Sequence, residues 1–125
     1  MSWQPEVDEL NRRLELARRG GGAEGVERQR RRGKLTARER VDALADPGSF
    51  REFMGLVGRG RYENYELVDF TPKPAVIGFA RIDGRKVIVN ASDFTVRGGS
   101  GGSRGGGLGQ ELSDTERALE WRVPF

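Results

Sequence analysis

The sequence predicts an α/β domain, and three observations carry that prediction. Two β-rich runs, AVIGFARI and RKVIVNA, are joined by the turn-forming pair Asp83-Gly84. Thr36 followed three residues later by Glu39 forms a capping box, the signature of a helix start. After the second β run a glycine-rich turn leads into residues spaced as one face of another helix. With 125 residues the chain is large enough for a single core. Hydrophobic residues make up 35% and charged ones 33%, so that core must be confined to a few segments. Part of the chain is expected to pack on something outside it.

From the amino terminus, Pro5 suits a first helical turn, Glu6, Asp8 and Glu9 favour the positive end of a helix dipole, and Arg18 and Arg19 precede Gly20. A helix over Pro5 to Arg19 is expected, burying a narrow stripe of Val7, Leu10, Leu14 and Ala17. Gly20 to Gly22 interrupts it. Glu24 to Arg32 reads either as a second, highly charged helix or as a flexible stretch. The capping box opens a helix from Ala37 to about Ala45, with Val41 and Leu44 inward, and Asp46-Pro47-Gly48 ends it. Phe50 to Val57 is expected to be extended, with Phe50 and Phe53 as core anchors.

Gly58 to Pro74, of mixed polarity, reads as an irregular loop with one short strand near Tyr65 to Val68. The hairpin at Asp83-Gly84 follows, and its apolar content predicts burial on both faces. Beyond Ser92-Asp93-Phe94 the run RGGSGGSRGGGLG begins as a loop. Leu108, Leu112, Thr115 and Leu119, with Ala118, then predict a helix to about Trp121. Arg122-Val123-Pro124-Phe125 looks like the start of another strand.

Composition excludes several kinds of chemistry. No cysteine is present, which removes disulfides, thiolate nucleophiles and zinc–sulfur sites. No histidine is present, which removes the commonest general base and metal ligand at neutral pH. Backbone dipoles or carboxylates are left, and no metal site is expected. No stretch approaches the roughly 20 apolar residues of a spanning helix, so a soluble, cytoplasmic protein is expected. The formal charge is +3, with Arg28, Arg30, Arg31, Arg32, Lys34, Arg38 and Arg40 crowded together. That run reads as a solvated face, or as a surface for a phosphate, nucleic acid or acidic neighbour.

The segment DFTVRGGS carries the clearest functional signal. A strand running into glycines and then a helix presents several N–H groups to an anion, because glycine has no side chain to block the approach. Arg97 adds a fixed positive charge, and Thr95 and Ser100 add hydroxyls. Neither a Walker loop nor a dinucleotide fingerprint is present. The competing reading is an ordinary strand-to-helix connection.

Taken in order, GKLTARERVDALADPGSFREF, AVIGFARIDGRKVIVNASDFTVRGGS and TERALEWRVPF resemble the amino-terminal part of the carboxyltransferase (beta) subunit of biotin-dependent acyl-CoA carboxylases, of the acetyl- and propionyl-CoA carboxylase type. The resemblance covers Gly33 to Phe125. It implies a crotonase-like α/β spiral of ββα units, with residues 1–32 as a charged helical extension and 33–125 as an incomplete amino-terminal carboxyltransferase domain. The implied reaction moves a carboxyl group from carboxybiotin, carried by a partner protein, to the α-carbon of an acyl-CoA. Backbone amides would hold the enolate oxygen, which makes histidine and metal unnecessary.

Carried over by position, Arg97, Gly98, Gly99 and Ser100 are the implied acyl-CoA contacts, and no catalytic residue is assigned. Asp93 is expected to cap nearby amides. Thr36, Glu39, Pro47 and Gly48 are expected to hold the fold. Lys34, Arg38 and Arg40 read as CoA-phosphate contacts or, by preference, as surface salt bridges.

The resemblance also implies that the oxyanion-hole glycines and the biotin-binding half lie beyond Phe125. The expectation is therefore a fragment, inactive alone, whose partners are the missing remainder or a second such chain and the biotin carboxylase and carrier subunits. The alternative is a noncatalytic interaction or regulatory fragment that docks on a full-length carboxyltransferase. RNA binding through RQRRRGK and GGSRGGG ranks lower, because no aromatics are interleaved for base stacking.

Overall fold

A computed structural model describes residues 1–100 and 114–125. In chain order the elements are α1 (Gln4–Arg18), α2 (Gly22–Arg31), α3 (Ala37–Leu44), β1 (Arg51–Glu52), β2 (Gly58–Glu63), β3 (Glu66–Pro72), β4 (Ala75–Ile82), β5 (Arg85–Ser92), a 3-10 turn at Arg97–Gly99, and α4 (Asp114–Trp121). Strands β1, β4 and β5 form one antiparallel sheet in that order, and β2 pairs with β3 in a separate ribbon.

The β4–β5 hairpin forms where the sequence places it. Ile82 pairs with Arg85 and Arg81 with Lys86, so Asp83 and Gly84 are the two turn residues. Both have positive φ, 49° and 78°, as a two-residue hairpin turn requires. Adjacent residues of β4 are buried, among them Val76, Ile77 and Ala80, so both faces of the sheet are covered. On one face Val76 packs with Ala37 and Val41 of α3, joined by Phe50, Val89 and Ala91. On the other, reached by alternation along the strand, Phe79 stacks on Trp121 of α4 with ring centroids 4.3 Å apart. Phe53 meets Phe79 edge-on at 4.6 Å.

The capping box of α3 is complete. Thr36 Oγ1 accepts from Glu39 N at 3.2 Å, and Glu39 Oε2 accepts from Thr36 N at 2.9 Å. Its inward face differs from the one expected: Ala37 and Val41 are each 2% exposed, whereas Leu44 is 52% exposed. Ala37 lies one turn before Val41, so the buried stripe points toward the helix start. In α1 the buried residues are Leu16 and Ala17, while Val7 and Leu10 stay exposed. Only the last turns dock, against β3, where Arg12 Nη1 donates to the Leu67 carbonyl at 2.9 Å.

Of the two readings of Glu24 to Arg32, the charged helix is the one observed: Gly22–Arg31 form α2, laced by Arg28–Glu24 and Arg31–Glu27 pairs one turn apart. The segments that follow differ from expectation. Phe50 to Val57 is extended only at Arg51–Glu52; Met54, with φ 53°, turns the chain. Gly58 to Pro74 is not an irregular loop but the β2–β3 ribbon, with a bulge at Arg61/Tyr62. Its turn residues Asn64 and Tyr65 both take positive φ.

Thr115 and Ala118 lie in α4, where Ala118 is buried and Leu119 is exposed. The expected helix positions Leu108 and Leu112, and the GGSRGGGLG run after Ser100, lie outside the described residues. Residues 122–125 form no strand: Arg122 turns with φ 53°, and the Pro124 carbonyl accepts one bond from Ile88 N at 2.9 Å.

Candidate functional site

At the end of β5 the chain closes into a tight turn centred on Asp93. The Asp93 carboxylate, 8% exposed as a residue, accepts from Thr95 N at 2.9 Å and from the Thr95 hydroxyl at 2.5 Å. Asp93 therefore caps an amide, as expected, and both donors belong to Thr95 within its own turn. The same Thr95 hydroxyl accepts the Gly21 N–H at 2.9 Å, across 74 positions of sequence. A side chain at Gly21 would overlap the Thr95 carbonyl oxygen, and one at Gly20 would meet Asp93 Oδ2 at 2.8 Å. Gly20 and Gly21 thus let the α1–α2 corner lie directly on the strand-end turn.

Arg97, Gly98 and Gly99 follow with three successive positive φ values of 47°, 62° and 76°. Arg97 is the costly member, because a side chain disfavours that region. The turn is held by Gly99 N to the Val96 carbonyl at 2.9 Å and by Ser100, whose N and hydroxyl both donate to the Arg97 carbonyl, at 3.2 and 2.7 Å. Ser100 thus serves the local turn in this structure. Gly98 is exposed and Gly99 half-buried.

Beside this turn lies an open groove of about 950 Å³, walled by the end of α1, the Gly20–Gly22 corner, α2, β3 and residues 95–97. Arg18, Arg19, Arg30 and Arg97 line it against two carboxylates, Glu27 and Asp69, and Leu16, Val26, Phe70 and Val96 supply apolar wall. Arg30 is tied to Glu39 at 2.7 Å, an ion pair that holds the Glu39 carboxyl below its ordinary range. Glu27 leans toward Arg31 at 3.4 Å. Among the described residues no salt bridge engages Arg18, Arg19 or Arg97. The groove is therefore cationic with an apolar side, a combination suited to an anionic ligand that also carries a flat or oily part.

Of the residues singled out in the sequence, Arg30, Thr95 and Arg97 line the groove, while Gly98, Gly99 and Ser100 form the turn next to it. Arg38 and Arg40 do not reach it. Arg38 makes a two-point pair with Glu52 at 2.9 and 3.0 Å, and Arg40 donates to the Ser92 carbonyl at 2.7 Å. Both hold the fold, Arg38 by the salt bridge preferred in the sequence reading and Arg40 by a backbone contact. Arg18, Arg19 and Phe70 escaped sequence reasoning. The one signal was the run RRGGG, whose glycines mark a close backbone approach. No cluster of metal-ligating side chains occurs among the described residues, and no helix there is long and apolar enough to cross a membrane.

Comparison with known proteins agrees with this architecture. The chain is 48% identical over 96 residues to the propionyl-CoA carboxylase beta chain of Cereibacter sphaeroides, covering 75% of this chain and 19% of that protein. It is 42% identical over 102 residues to the mitochondrial propionyl-CoA carboxylase beta chain of Homo sapiens, covering 76% and 19%. Among solved structures, transcarboxylase 12S with methylmalonyl-coenzyme A and methylmalonic acid bound superimposes with a TM-score of 0.67 at 34% identity, covering 80% of this chain and 20% of that one. A single-chain, multi-domain long-chain acyl-CoA carboxylase gives a TM-score of 0.71 at 30% identity, covering 95% and 13%.

The chain thus spans about a fifth of the length of the curated relatives it matches. The crotonase-like α/β fold expected from the sequence is the fold it has. Residues 28–124 match the carboxyl transferase domain, and the chain belongs to that family.

Proposed function

We propose that this chain forms the acyl-CoA-binding side of a biotin-dependent carboxyltransferase, with Arg97, Gly98, Gly99 and Ser100 as its contacts to the ligand. One observation carries the reading: Arg97 stands without a salt bridge among the described residues, on a turn whose positive φ values project it into a cationic groove. A fixed guanidinium with a planar fork of donors suits phosphate. The acyl-CoA is the substrate; carboxybiotin, delivered by a separate carrier, is the carboxyl donor. This chain's share is to bind and orient, and the enolate chemistry falls to portions of the relatives outside the matched fifth.

In this reading the partners are the remainder of a carboxyltransferase, or a second such chain, together with the biotin carboxylase and carrier subunits. Residues 1–32 form a helical extension laid against the domain that begins at residue 33. The working compartment is the cytoplasm, where a cysteine-free chain forgoes nothing by lacking disulfides.

Amide chemical shifts during a titration with propionyl-CoA test the proposal. The Gly98, Gly99 and Ser100 resonances are expected to move, and Arg97→Ala to weaken binding about tenfold. Loop amides that stay still while propionyl-CoA binds elsewhere would end the assignment. The chain alone is expected to leave methylmalonyl-CoA intact, and sustained decarboxylation by it would overturn the division between binding and chemistry.

A further inference from the structure

Helix α1 buries less of itself than its sequence pattern provides for. Trp3, Val7, Leu10 and Leu14 are separated by steps of four, three and four residues, the alternation of a coiled-coil seam. A further step of three reaches Ala17, where the stripe passes beneath the body of the domain and is buried. Ahead of that point Trp3 is 76% exposed, Val7 44% and Leu10 47%, and Leu14 is half-buried. Only the last turns of α1 dock on β3, so its first part projects as a helix held by its own side chains. Gln4 Nε2 donates to Asp8 Oδ1 at 2.7 Å, and Glu9 accepts from Arg12 and Arg13. So short a projecting helix is marginal in water without something packed along its apolar side.

Charge is divided along the same helix. Glu6, Asp8 and Glu9 occupy its first half and Arg12, Arg13 and Arg18 its second, with Glu15 the one carboxylate among them. Two such helices laid parallel would place acid beside acid and base beside base. Laid antiparallel, each acidic half meets a basic half and the two macrodipoles oppose, so the stripe is complementary to a second copy of itself. We propose that the chain pairs with a second copy through the exposed stripe of α1, as an antiparallel two-helix seam with twofold symmetry. Val7 then packs on Leu10 of the second copy and Trp3 on its Leu14, which brings Glu6 across from its Arg13. Because β3 takes only the last turns of α1, the two domain bodies sit at opposite ends of the seam. The pairing goes beyond the acyl-CoA reading and does not depend on it.

Sedimentation equilibrium of the full 125-residue chain, from roughly 10 µM to 1 mM, tests this. The chain is expected to pass from one chain mass to two with a Kd on the order of 100 µM, since a short seam pairs weakly. Val7→Glu and Leu10→Glu should each weaken pairing by about tenfold or more, because each buries a carboxylate in the seam. Both positions are exposed in the single chain, so hydrogen exchange at Thr95 should match the parent and show the fold intact. Leu119→Glu alters a more exposed leucine, on α4, and should leave pairing unchanged. The chain has no cysteine, so a nitroxide can be attached at one chosen residue. Labels on Asn11→Cys should broaden each other's spectra, while labels on Ser2→Cys, roughly 20 Å apart along an antiparallel pair, should not.

A chain that stays single at about 1 mM would overturn the proposal, as would a dimer indifferent to both glutamates. Broadening at Ser2 and Asn11 alike would overturn the antiparallel order. A single chain that binds phosphatidylglycerol vesicles, and loses that binding in Leu10→Glu, would assign the stripe to a lipid surface instead of a second copy. None of these results bears on propionyl-CoA, whose binding stands or fails by the amide titration around Arg97.

Discussion

Asp46 clasps Gly84: its Oδ2 accepts the Gly84 N–H at 2.8 Å while Oδ1 accepts the neighbouring Asp83 N–H at 2.9 Å. The Asp46 N–H in turn donates to the Arg81 carbonyl at 2.7 Å. One carboxylate thus fastens the end of α3 to the tip of the β4–β5 hairpin and orders a turn whose two residues both take positive φ. In the sequence, Asp46-Pro47-Gly48 reads only as a helix stop.

Replacing Asp46 with alanine is expected to cost about 2 kcal/mol, because both bonds have a charged acceptor but remain near solvent. Asp46→Asn keeps one acceptor oxygen and should cost about half as much. Urea unfolding measures both, and equal stability of all three proteins would show that the clasp contributes nothing.

Gly21 and Gly33 separate two reasons for glycine. Gly33 ends α2 with φ 69° in open space, so Gly33→Ala should cost about 1 kcal/mol from backbone strain alone. Gly21 has ordinary backbone angles but lies against the Thr95 carbonyl. Gly21→Ala must push the α1–α2 corner off the strand-end turn. Hydrogen exchange at Thr95 and Val96 is expected to accelerate in Gly21→Ala and to stay unchanged in Gly33→Ala.

Glu9 holds two guanidiniums at once, accepting from Arg12 and Arg13 at 2.8 Å each. Its carboxyl is lowered to about 2, first by the Arg12 hydrogen bond and then by that of Arg13. A lowered carboxylate stabilises the folded state above its unfolded titration point and ceases to do so as pH falls through the folded one. Loosening of α1 is therefore expected between about pH 4.5 and 2. Because the group is solvent-exposed, the effect on global stability is small, and the Glu9 carboxyl carbon resonance is the sensitive readout. A midpoint at the ordinary value of 4.5 would contradict the geometry.

Lys86 Nζ sits 4.3 Å from the centre of the Phe79 ring, which itself stacks on Trp121. Phe79→Leu keeps an apolar group on that face and removes the ring contacts, at an expected cost of about 1 kcal/mol. Trp121 fluorescence should change with it. An unchanged emission spectrum would place Trp121 elsewhere.

Legibility from sequence followed how local the determinants were. The β4–β5 hairpin and the α3 cap were readable because Asp83-Gly84 and Thr36-x-x-Glu39 carry their geometry within four residues. The β2–β3 ribbon was not, since Tyr65 takes the left-handed turn position where glycine is usual, and Gly58, Arg59, Gly60 and Arg61 give no apolar alternation. Leu44 and Leu119 were expected inward on spacing alone, yet α3 and α4 bury small residues, Ala37 and Ala118, close to the sheet. At the candidate site the Arg97–Ser100 turn was visible. The groove was not, because the residues that face Arg97 come from α1, α2 and β3, each distant from it in sequence.

Two segments meet the outer side of β4: residues 51–53, where β1 pairs with Gly78 and Phe79 and Phe53 N bonds to Ile77 O, and Asp46, whose N bonds to Arg81 O. The most apolar strand among the described residues therefore presents no continuous ladder on that flank for a foreign strand to extend. Polymerisation by strand addition is closed off there by Asp46, just past the end of α3, and by a short patch of paired chain, and Arg81 is the one charged residue on the strand itself.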